Sequence, residues 1–278
     1  MKNIAFYNGT FAPIEEIKIP LSDRAIYFGD GIYEAAIGRN DNIYLEDYHL
    51  ARFLENAKKL NLDLKYSVQN IRELLHLSIE MNPADCFFIY FQLTRSEYER
   101  KHSYSTNDSN LLITVTPIQA PTSKLTMKLI TANDERHSLC GIKTLNLLAA
   151  VIASKKASMQ GCDEAILFKD NLITECAHSN VFIVKSNELV TRPTDGTILP
   201  GITRKRILEL AKELNIKASE RPFSLNELYE ADEVLITSSS KLCARGKSVD
   251  EIYYTLSENS VGRTLCDAIF KDFSDSTA

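Results

Sequence analysis

The sequence lacks the features of a membrane protein, a nucleic-acid-binding protein or a disulfide-stabilised secreted domain. No uninterrupted apolar stretch reaches the roughly 18 residues that a membrane helix needs, and residues 1–9 contain no apolar signal core. The six cysteines are scattered without a C-x-x-C pair, which suits free thiols in a reducing compartment. Lys and Arg number 32 against 37 Asp and Glu, so there is no basic excess to hold a nucleic-acid backbone. We therefore expect a cytoplasmic protein that binds neither membranes nor nucleic acids.

The composition is that of a globular protein with two domains. The 278 residues are 44% hydrophobic and 25% charged, which is enough chain for a sizeable buried core. Two prolines and several small polar residues make 117–123 the best candidate linker. We predict an α/β domain over residues 1–118, an interdomain linker over 119–124, and a second, strand-rich α/β domain over 125–278.

Apolar periodicity predicts the elements of both domains. The predicted strands are 87–93, 111–116, 125–131, 164–168, 172–175, 180–185 and 233–237. The predicted helices are 47–60, one through Val68, Ile71 and Leu75, 145–160, one from Thr203 onward, and 259–271. Ser224 and Glu227 have the spacing of a capping box.

Lys143 is the only charged side chain from Leu139 to Ala153. Most lysines with apolar neighbours extend their ammonium group to water. Here, burial and the predicted start of a helix would both disfavour the charged form, and a neutral amine can attack a carbonyl to form a Schiff base. The residues alone leave both interpretations open.

Glu175 is the second unusual residue, because no other side chain from Asn171 to Val184 is charged if His178 is neutral. One interpretation is a carboxylate exposed in a turn at the end of a strand. The other is a buried acceptor for a cationic ring nitrogen, which would keep a pyridine protonated and make it an electron sink.

Three further segments have an ordinary and a functional interpretation. Residues 201–203 precede a predicted helix with Thr203 as N-cap, and either cap that helix or bind an anion with their amides. Residues 237–240 could add hydroxyl donors or form an ordinary strand exit. Residues 100–102 form either a solvated loop or a clamp for a carboxylate.

An isolated lysine, an isolated glutamate, an anion site and a carboxylate clamp together are what a pyridoxal phosphate transaminase needs.

At these residues the sequence resembles the class IV, or fold type IV, pyridoxal-phosphate aminotransferases. That family includes D-amino-acid aminotransferases, branched-chain aminotransferases and aminodeoxychorismate lyases. The resemblance covers nearly the whole chain. The matching blocks are Asp23-Arg24, Phe28 to Glu34, Arg52, Ile142 to Leu148, Gly161 to Leu167, Thr174-Glu175, Ser179 to Phe182 and Leu199 to Arg204.

The resemblance implies an α/β (α+β) fold with a small N-terminal α/β domain and a larger C-terminal pseudo-barrel α/β domain. It implies pyridoxal 5'-phosphate as cofactor, with Lys143 forming the Schiff base and moving the proton between substrate Cα and cofactor C4′. Glu175 would hold the pyridine nitrogen, Leu199 would pack on the ring, and Arg136 would support the lysine and the cofactor hydroxyl. The residues implied to hold the phosphate are Arg52, Ile202, Thr203, Ser238 and Ser239.

Within the family, Arg100 and His102 with Tyr33 match the carboxylate trap of D-amino-acid aminotransferases. Such a trap selects one hand of substrate, because the Cα–H bond must stand across the cofactor ring and point at the lysine. In similar enzymes the loop that carries the trap crosses a dimer interface, so we expect a homodimer with its active site there. His178 and Lys241 depart from the D-type pattern: His178 adds a titratable group near the cofactor or substrate, and Lys241 a cation near the phosphate.

We therefore predict transamination from a D-amino acid such as alanine to a 2-oxo acid such as 2-oxoglutarate. The alternatives are an L-branched-chain aminotransferase, an aminodeoxychorismate lyase, and a catalytically idle dimer that binds the cofactor. We expect no metal, because the candidate zinc ligands His137, Cys140, Cys176 and His178 have no compact ligand spacing.

Overall fold

A computed structural model describes residues 3–278 of the chain. The chain forms two compact units. The first unit contains the chain up to Ala120 together with residues 142–146 and 276–278. The second unit contains residues 121–141 and 147–275. The sequence prediction assigned Lys143 to the second domain, whereas its segment lies in the first unit. Within residues 3–278, no helix combines the length and the apolar composition that crossing a membrane requires.

The first unit is an antiparallel sheet with helices packed on one face. Its elements are β1 (Ile4–Tyr7), β2 (Thr10–Pro13), a 3₁₀ turn (Ile14–Glu16), α1 (Arg24–Phe28), β3 (Gly31–Arg39), β4 (Asn42–Ile43), α2 (Glu46–Lys59), α3 (Val68–Glu80), β5 (Cys86–Arg95) and β6 (Ser109–Pro117). The six strands lie in the order β2-β1-β6-β5-β3-β4. Alternate side chains of β5 are fully buried, and Phe87 and Phe91 pack in one core with Phe53 of α2 and Leu75 of α3.

The segment 142–146 joins the first unit by pairing with the start of β3. The amide of Tyr33 donates to the carbonyl oxygen of Lys143 at 3.0 Å, and the amide of Leu145 donates to that of Gly31 at 3.1 Å. A side chain at Gly31 would lie 2.6 Å from the Leu93 carbonyl oxygen and 2.9 Å from the Leu145 side chain. Glycine is therefore required for this segment to approach β3 so closely.

The second unit is built on a curved mixed sheet. Its elements are β7 (Thr126–Asn133), α4 (Leu148–Met159), β8 (Glu164–Lys169), β9 (Leu172–Cys176), β10 (Asn180–Lys185), β11 (Glu188–Thr191), α5 (Ile202–Glu213), β12 (Ala218–Glu220), α6 (Leu225–Tyr229), β13 (Glu233–Ser238), β14 (Leu242–Val249), β15 (Ile252–Tyr253) and α7 (Val261–Ser276). The strands follow the order β12-β11-β10-β13-β14-β7-β8-β9, and β15 pairs with β14. Because β9 also comes back against β10, the sheet curls as the predicted pseudo-barrel requires.

The predicted elements are present, and the helices among them differ at their ends. Strands β1 to β4, β11, β12, β14 and β15 and helix α1 were not predicted. The predicted helix 145–160 begins at Leu148, because the residues before it pair with β3 instead. Gly201, not Thr203, is the N-cap of α5. The last helix runs to Ser276, beyond its predicted end. The capping box of Ser224 and Glu227 is formed as predicted.

A buried ion cluster joins β3 to α2 in the first unit. Glu34 is fully buried, and its two carboxylate oxygens accept from Arg52 Nε at 2.7 Å and Nη2 at 2.9 Å. The ring of His49 lies 2.7 Å from the same carboxylate. Burial raises the pKa of Glu34, but Arg52 and His49 outweigh it and hold the pKa at about 2. Burial lowers the pKa of His49, which favours the neutral ring.

This cluster predicts loss of stability in acid. The native pKa of His49 is depressed, so its contribution falls as the pH drops below its ordinary value of 6.5. The native pKa of Glu34 is also depressed, so its contribution is present above pH 4.5 and is lost as the pH falls towards about 2. Glu34→Gln should lower the free energy of unfolding at pH 7 by about 3 kcal/mol, because Arg52 is left buried without its anion.

The measurement is urea unfolding from pH 7 to pH 2. Relative to wild type, Glu34→Gln should lose less stability between pH 4.5 and 2, because the titrating carboxylate is gone. Glu73→Gln, at an exposed position on α3, is the control and should follow wild type. Parallel acid profiles for Glu34→Gln and wild type would contradict the assignment.

Candidate active site

The predicted functional residues form two groups, one in each unit. The first unit contains Tyr33, Arg52, Arg100, His102 and Lys143. The second contains Arg136, Glu175, His178, Leu199, Ile202, Thr203, Ser238, Ser239 and Lys241.

Lys143 lies half-buried beside an aromatic ring of β3. Its Nζ is 4.1 Å from the centroid of the Tyr33 ring, a cation–π distance. Helix α4 begins five residues later, at Leu148, so the predicted influence of a helix end on the amine was wrong. The position of Lys143 comes instead from the backbone pairing with β3. The two backbone hydrogen bonds fix the position from which the Lys143 side chain extends.

Arg100 and His102 meet on a different aromatic side chain, that of Phe28. The guanidinium carbon of Arg100 is 5.8 Å from the Phe28 ring centroid and 5.8 Å from that of Tyr27. The His102 ring centroid is 5.4 Å from that of Phe28. Both residues lie in the exposed loop between β5 and β6. The structure thus brings together two of the three predicted trap residues on Phe28, while Tyr33 lies with Lys143.

Arg52 was predicted to hold a phosphate, and its guanidinium group binds Glu34. Its Nε and Nη2 atoms both donate to that carboxylate. The residue is 8% exposed. Sequence reasoning missed Glu34 and His49 as its partners, although Glu34 closes one of the family-like blocks and His49 precedes Arg52 by three residues, on the same helix face.

Glu175 is buried at the end of β9 and fully engaged by its own unit. Its carboxylate accepts from Nδ2 of Asn180 at 2.8 Å and from the amide of Leu199 at 3.1 Å. It also accepts from Nη1 of Arg136. With only 4% exposure, this is the buried acceptor and not the exposed turn carboxylate of the two sequence interpretations.

Arg136 was predicted to support the lysine and the cofactor hydroxyl, and it contacts two carboxylates of the second unit. Its Nε and Nη2 donate to Asp134 at 2.9 and 2.8 Å, and its Nη1 to Glu175. Burial lowers the pKa of Arg136, but Asp134 and Glu175 raise it further. The guanidinium therefore stays charged and places a positive charge directly against the Glu175 carboxyl group.

The start of α5 offers backbone donors. Ile202 and Thr203 are its first residues and are both buried. Gly201 precedes them because a side chain there would meet Asn180 Oδ1 at 1.8 Å. The N-terminal amides of a helix have no partner within it and attract anions.

The turn between β13 and β14 adds hydroxyl groups. Ser238 Oγ lies 3.4 Å from Ser240 Oγ and accepts from the amide of Lys241 at 3.3 Å. Ser239 is half-buried beside them. Thr237 of β13 lies opposite Asn180 of β10 in the strand register. Its side-chain hydroxyl is buried without a hydrogen-bond partner. An unsatisfied buried hydroxyl at this point is consistent with a polar ligand.

His178 and Lys241 share one buried anion, Glu164. The His178 ring nitrogen Nδ1 is 2.7 Å from Glu164 Oε1, and Lys241 Nζ is 3.5 Å from Oε2. Ser179 Oγ donates to the same carboxylate at 3.0 Å. Burial raises the pKa of Glu164, but His178 and Lys241 lower it more. Sequence reasoning missed Glu164, although it lies in the family-like block Gly161 to Leu167 and is a charge at the start of an apolar strand.

The residues of the second unit fit a pyridine ring that carries a phosphate. Glu175 is a buried carboxyl group whose oxygens can accept a ring N–H, and the start of α5 supplies donors for an anion. Among residues 3–278, no three His, Cys, Asp or Glu side chains are grouped to hold a metal ion.

Comparison with known proteins gives the family. Residues 31–249 match the family model of class IV aminotransferases. A D-alanine aminotransferase of Bacillus licheniformis is 35% identical over 88% of this chain and 87% of its own. One of Staphylococcus aureus is 36% identical over 84% of this chain and 85% of its own. A branched-chain aminotransferase of Thermoproteus uzoniensis has the same fold, with a TM-score of 0.91 at 19% identity, covering 100% of this chain and 97% of that one. These findings confirm the predicted family and fold class: the chain belongs to the class IV aminotransferases.

Proposed function

We propose that this protein is a pyridoxal-phosphate-dependent D-amino-acid aminotransferase. It would transfer the amino group of a D-alanine-like donor to a 2-oxo acid such as 2-oxoglutarate. The observation that carries this assignment is the 35–36% identity to D-alanine aminotransferases over most of both chains. Those relatives confirm the activity and the cofactor predicted from the sequence. The branched-chain aminotransferase is similar in fold at 19% identity, so that activity is the alternative.

In this proposal Lys143 is the amine of the reaction. When bound, pyridoxal phosphate supplies an aldehyde that condenses with amines and a ring that accepts the electrons of a broken Cα–H bond. With the cofactor held, Lys143 would supply the amine for that aldehyde and would accept and return the proton at the substrate Cα. The Tyr33 ring at 4.1 Å and the pairing with β3 limit the freedom of the amine.

Glu175 would accept a hydrogen bond from the protonated ring nitrogen of the cofactor. Its charge is held by Arg136 and its orientation by Asn180 and the Leu199 amide. A buried carboxylate fixed from three sides favours the protonated pyridine over the neutral one, because the opposite charge lowers the free energy of the cation. Arg136 would act on the cofactor through Glu175, and its support of the cofactor hydroxyl stays a prediction.

The phosphate is held by the start of α5 and the turn after β13. Ile202 and Thr203 would donate backbone N–H groups to it, and Ser238 and Ser239 would donate hydroxyls. Arg52 would contribute positive charge, and Leu199 would pack on the ring. Lys241 and His178 have a separate task in this assignment: they compensate the buried charge of Glu164.

Arg100, His102 and Tyr33 receive the substrate carboxylate. An arginine fork and an imidazole give directional charge-assisted hydrogen bonds to such a group. Because the carboxylate is fixed on one side, only one hand of substrate directs its Cα hydrogen at Lys143. The D-alanine aminotransferase relatives favour the D hand.

The first prediction concerns the amine and the substrate hand. The loaded wild-type protein should show a visible absorption band that borohydride removes, and D-alanine should convert it in a half-reaction while L-leucine does not. Lys143→Ala should lose the borohydride-sensitive band and the half-reaction, because no protein amine engages the aldehyde. Lys58→Ala, at an exposed position on α2, is the matched control and should behave as wild type.

Each alternative has its own outcome in this experiment. Reaction with L-leucine only would replace the assignment by a branched-chain aminotransferase. Pyruvate release from aminodeoxychorismate would indicate the lyase. A stable band that reacts with no amino acid would indicate an idle cofactor-binding protein.

A second prediction concerns the carboxylate trap. Arg100→Ala should raise KM for D-alanine by about a hundredfold, the effect expected for a lost charge-assisted hydrogen bond, and leave the affinity for pyridoxal phosphate unchanged. Lys101→Ala removes an adjacent exposed cation and should change neither quantity. Equal loss of substrate and cofactor affinity in Arg100→Ala would show that the loop serves another purpose.

We further propose that the protein is a cytoplasmic homodimer. Leu148, Val151 and Ile152 are 74%, 58% and 54% exposed and form a stripe at i, i+3, i+4 spacing on α4. Leu147 before the helix is 41% exposed. A contiguous apolar stripe of this kind supports contact with a second copy of the chain. All six cysteines are free, which supports a reducing compartment.

The third prediction tests this face. Wild type should sediment as a dimer, and Val151→Glu should sediment as a monomer at the same concentration, because the charge would be buried at the contact. Leu214→Glu replaces another leucine, 43% exposed, and should leave the dimer intact. A dimeric Val151→Glu would move the interface elsewhere, and a monomeric wild type would exclude the dimer.

A further inference from the structure

The loop that carries Arg100 and His102 has little packing of its own. Residues 99–105 are all exposed. A loop without buried apolar side chains is held only by the contacts that reach it from the body of the unit. If it presents a guanidinium and an imidazole in a fixed arrangement, those contacts must set its shape.

Arg24 makes the contacts that reach the trap residues most directly. Its Nη1 donates to the carbonyl oxygen of Lys101 at 2.7 Å and its Nη2 to that of His102 at 3.4 Å. The residue is 3% exposed, so its guanidinium group is fixed in the protein. Its guanidinium carbon also lies 4.6 Å from the centroid of Phe28, the ring that Arg100 and His102 contact.

Arg95 holds the same loop further along. Its Nη1 donates to the carbonyl oxygen of Thr106 at 3.2 Å, and its Nη2 to that of Leu60 at the end of α2 at 2.7 Å. Its guanidinium carbon is 3.8 Å from the centroid of the Tyr104 ring, and that of Arg24 is 5.0 Å from it. The loop is therefore attached at residues 101, 102, 104 and 106.

One carboxylate orients both arginines. Asp30 Oδ2 accepts from Arg24 Nε at 2.8 Å and from Arg95 Nε at 3.0 Å. A single carboxylate balances only one of the two positive charges. The carbonyl oxygens of the loop and the face of the Tyr104 ring supply the remaining negative potential. The carbonyl oxygens of the loop thus stabilise the two guanidinium charges, and the two guanidinium groups in turn hold the loop.

We propose that Arg24 is a positioning residue for the substrate-carboxylate trap, holding Arg100 and His102 in place through the loop backbone with Asp30 and Arg95. The proposal rests on the proposed function, since the trap is part of it. It also gives a task to Arg24 and Asp30, family-like residues that the reaction itself leaves unused.

The test replaces Arg24 by lysine. Lysine keeps a positive charge for Asp30 but has no planar fork to reach two carbonyl oxygens. KM for D-alanine should rise by about tenfold or more, as for a lost charge-assisted hydrogen bond, while kcat stays within about threefold. The dissociation constant of pyridoxal phosphate should be unchanged. Trypsin should cleave after Arg100 and Lys101 faster than in wild type, because the loop opens more often.

Two further variants complete the experiment. Arg72→Lys replaces an arginine of the same unit that binds Glu46 and Asp47, and should change none of the readouts. Tyr104→Ala removes a ring that is 42% exposed and so tolerates truncation; it should repeat the rise in KM and in cleavage even if Arg24→Lys fails to fold.

The outcomes separate this inference from the proposed function. An unchanged cleavage rate or an unchanged KM in the folded variants overturns the positioning role of Arg24. So does a parallel loss of kcat and cofactor affinity, since that describes general destabilisation. A wild-type enzyme that does not react with D-alanine overturns the function, and the cleavage rates then still decide whether Arg24 holds the loop.

Discussion

The pairing between residues 142–146 and the start of β3 is the contact on which the candidate chemistry depends. Two backbone hydrogen bonds, Tyr33 to Lys143 and Leu145 to Gly31, hold a segment that is distant in sequence against the sheet of the first unit. They bring the Lys143 amine to the Tyr33 ring. Backbone bonds of this kind are insensitive to side-chain identity, except at Gly31, where any side chain would prevent the approach.

Buried carboxylates with dedicated cations are the second theme of the molecule. Glu34, Glu164 and Glu175 are each at most 4% exposed, and each is bound by arginine, histidine or lysine. An ionised carboxylate without such partners would be strongly destabilising in the interior. The partners keep Glu34 and Glu164 charged, as their lowered pKa values show. Glu175 serves the cofactor in the proposed reaction, whereas Glu34 joins α2 to β3 in the first unit and Glu164 binds His178 and Lys241 in the second.

The exposed loop after β5 illustrates how such charges can set geometry. Arg100 and His102 extend from a backbone with few apolar contacts. Arg24 and Arg95, both bound to Asp30, donate hydrogen bonds to carbonyl oxygens of this loop. Packing alone could not achieve this, because dispersion contacts need buried surface that the loop lacks. Hydrogen bonds from fixed guanidinium groups to carbonyl oxygens can hold a loop without buried apolar surface, because they depend on the distance and direction between donor and acceptor.

Local pattern was enough to predict much of the secondary structure, because helices such as α2 and strands such as β5 follow from apolar periodicity. The motif residues around Lys143 and Glu175 were enough to predict the family. Local sequence pattern could not predict which charged residues pair, because the partners lie 14 to 77 positions apart. These pairs are Glu34 with Arg52, Glu164 with His178 and Lys241, and Arg136 with Glu175. The location of Lys143 in the first unit, away from any helix start, was likewise decided by strand pairing. Periodicity reports which face of an element is apolar, but which charged side chains meet inside the protein is decided only when the elements pack.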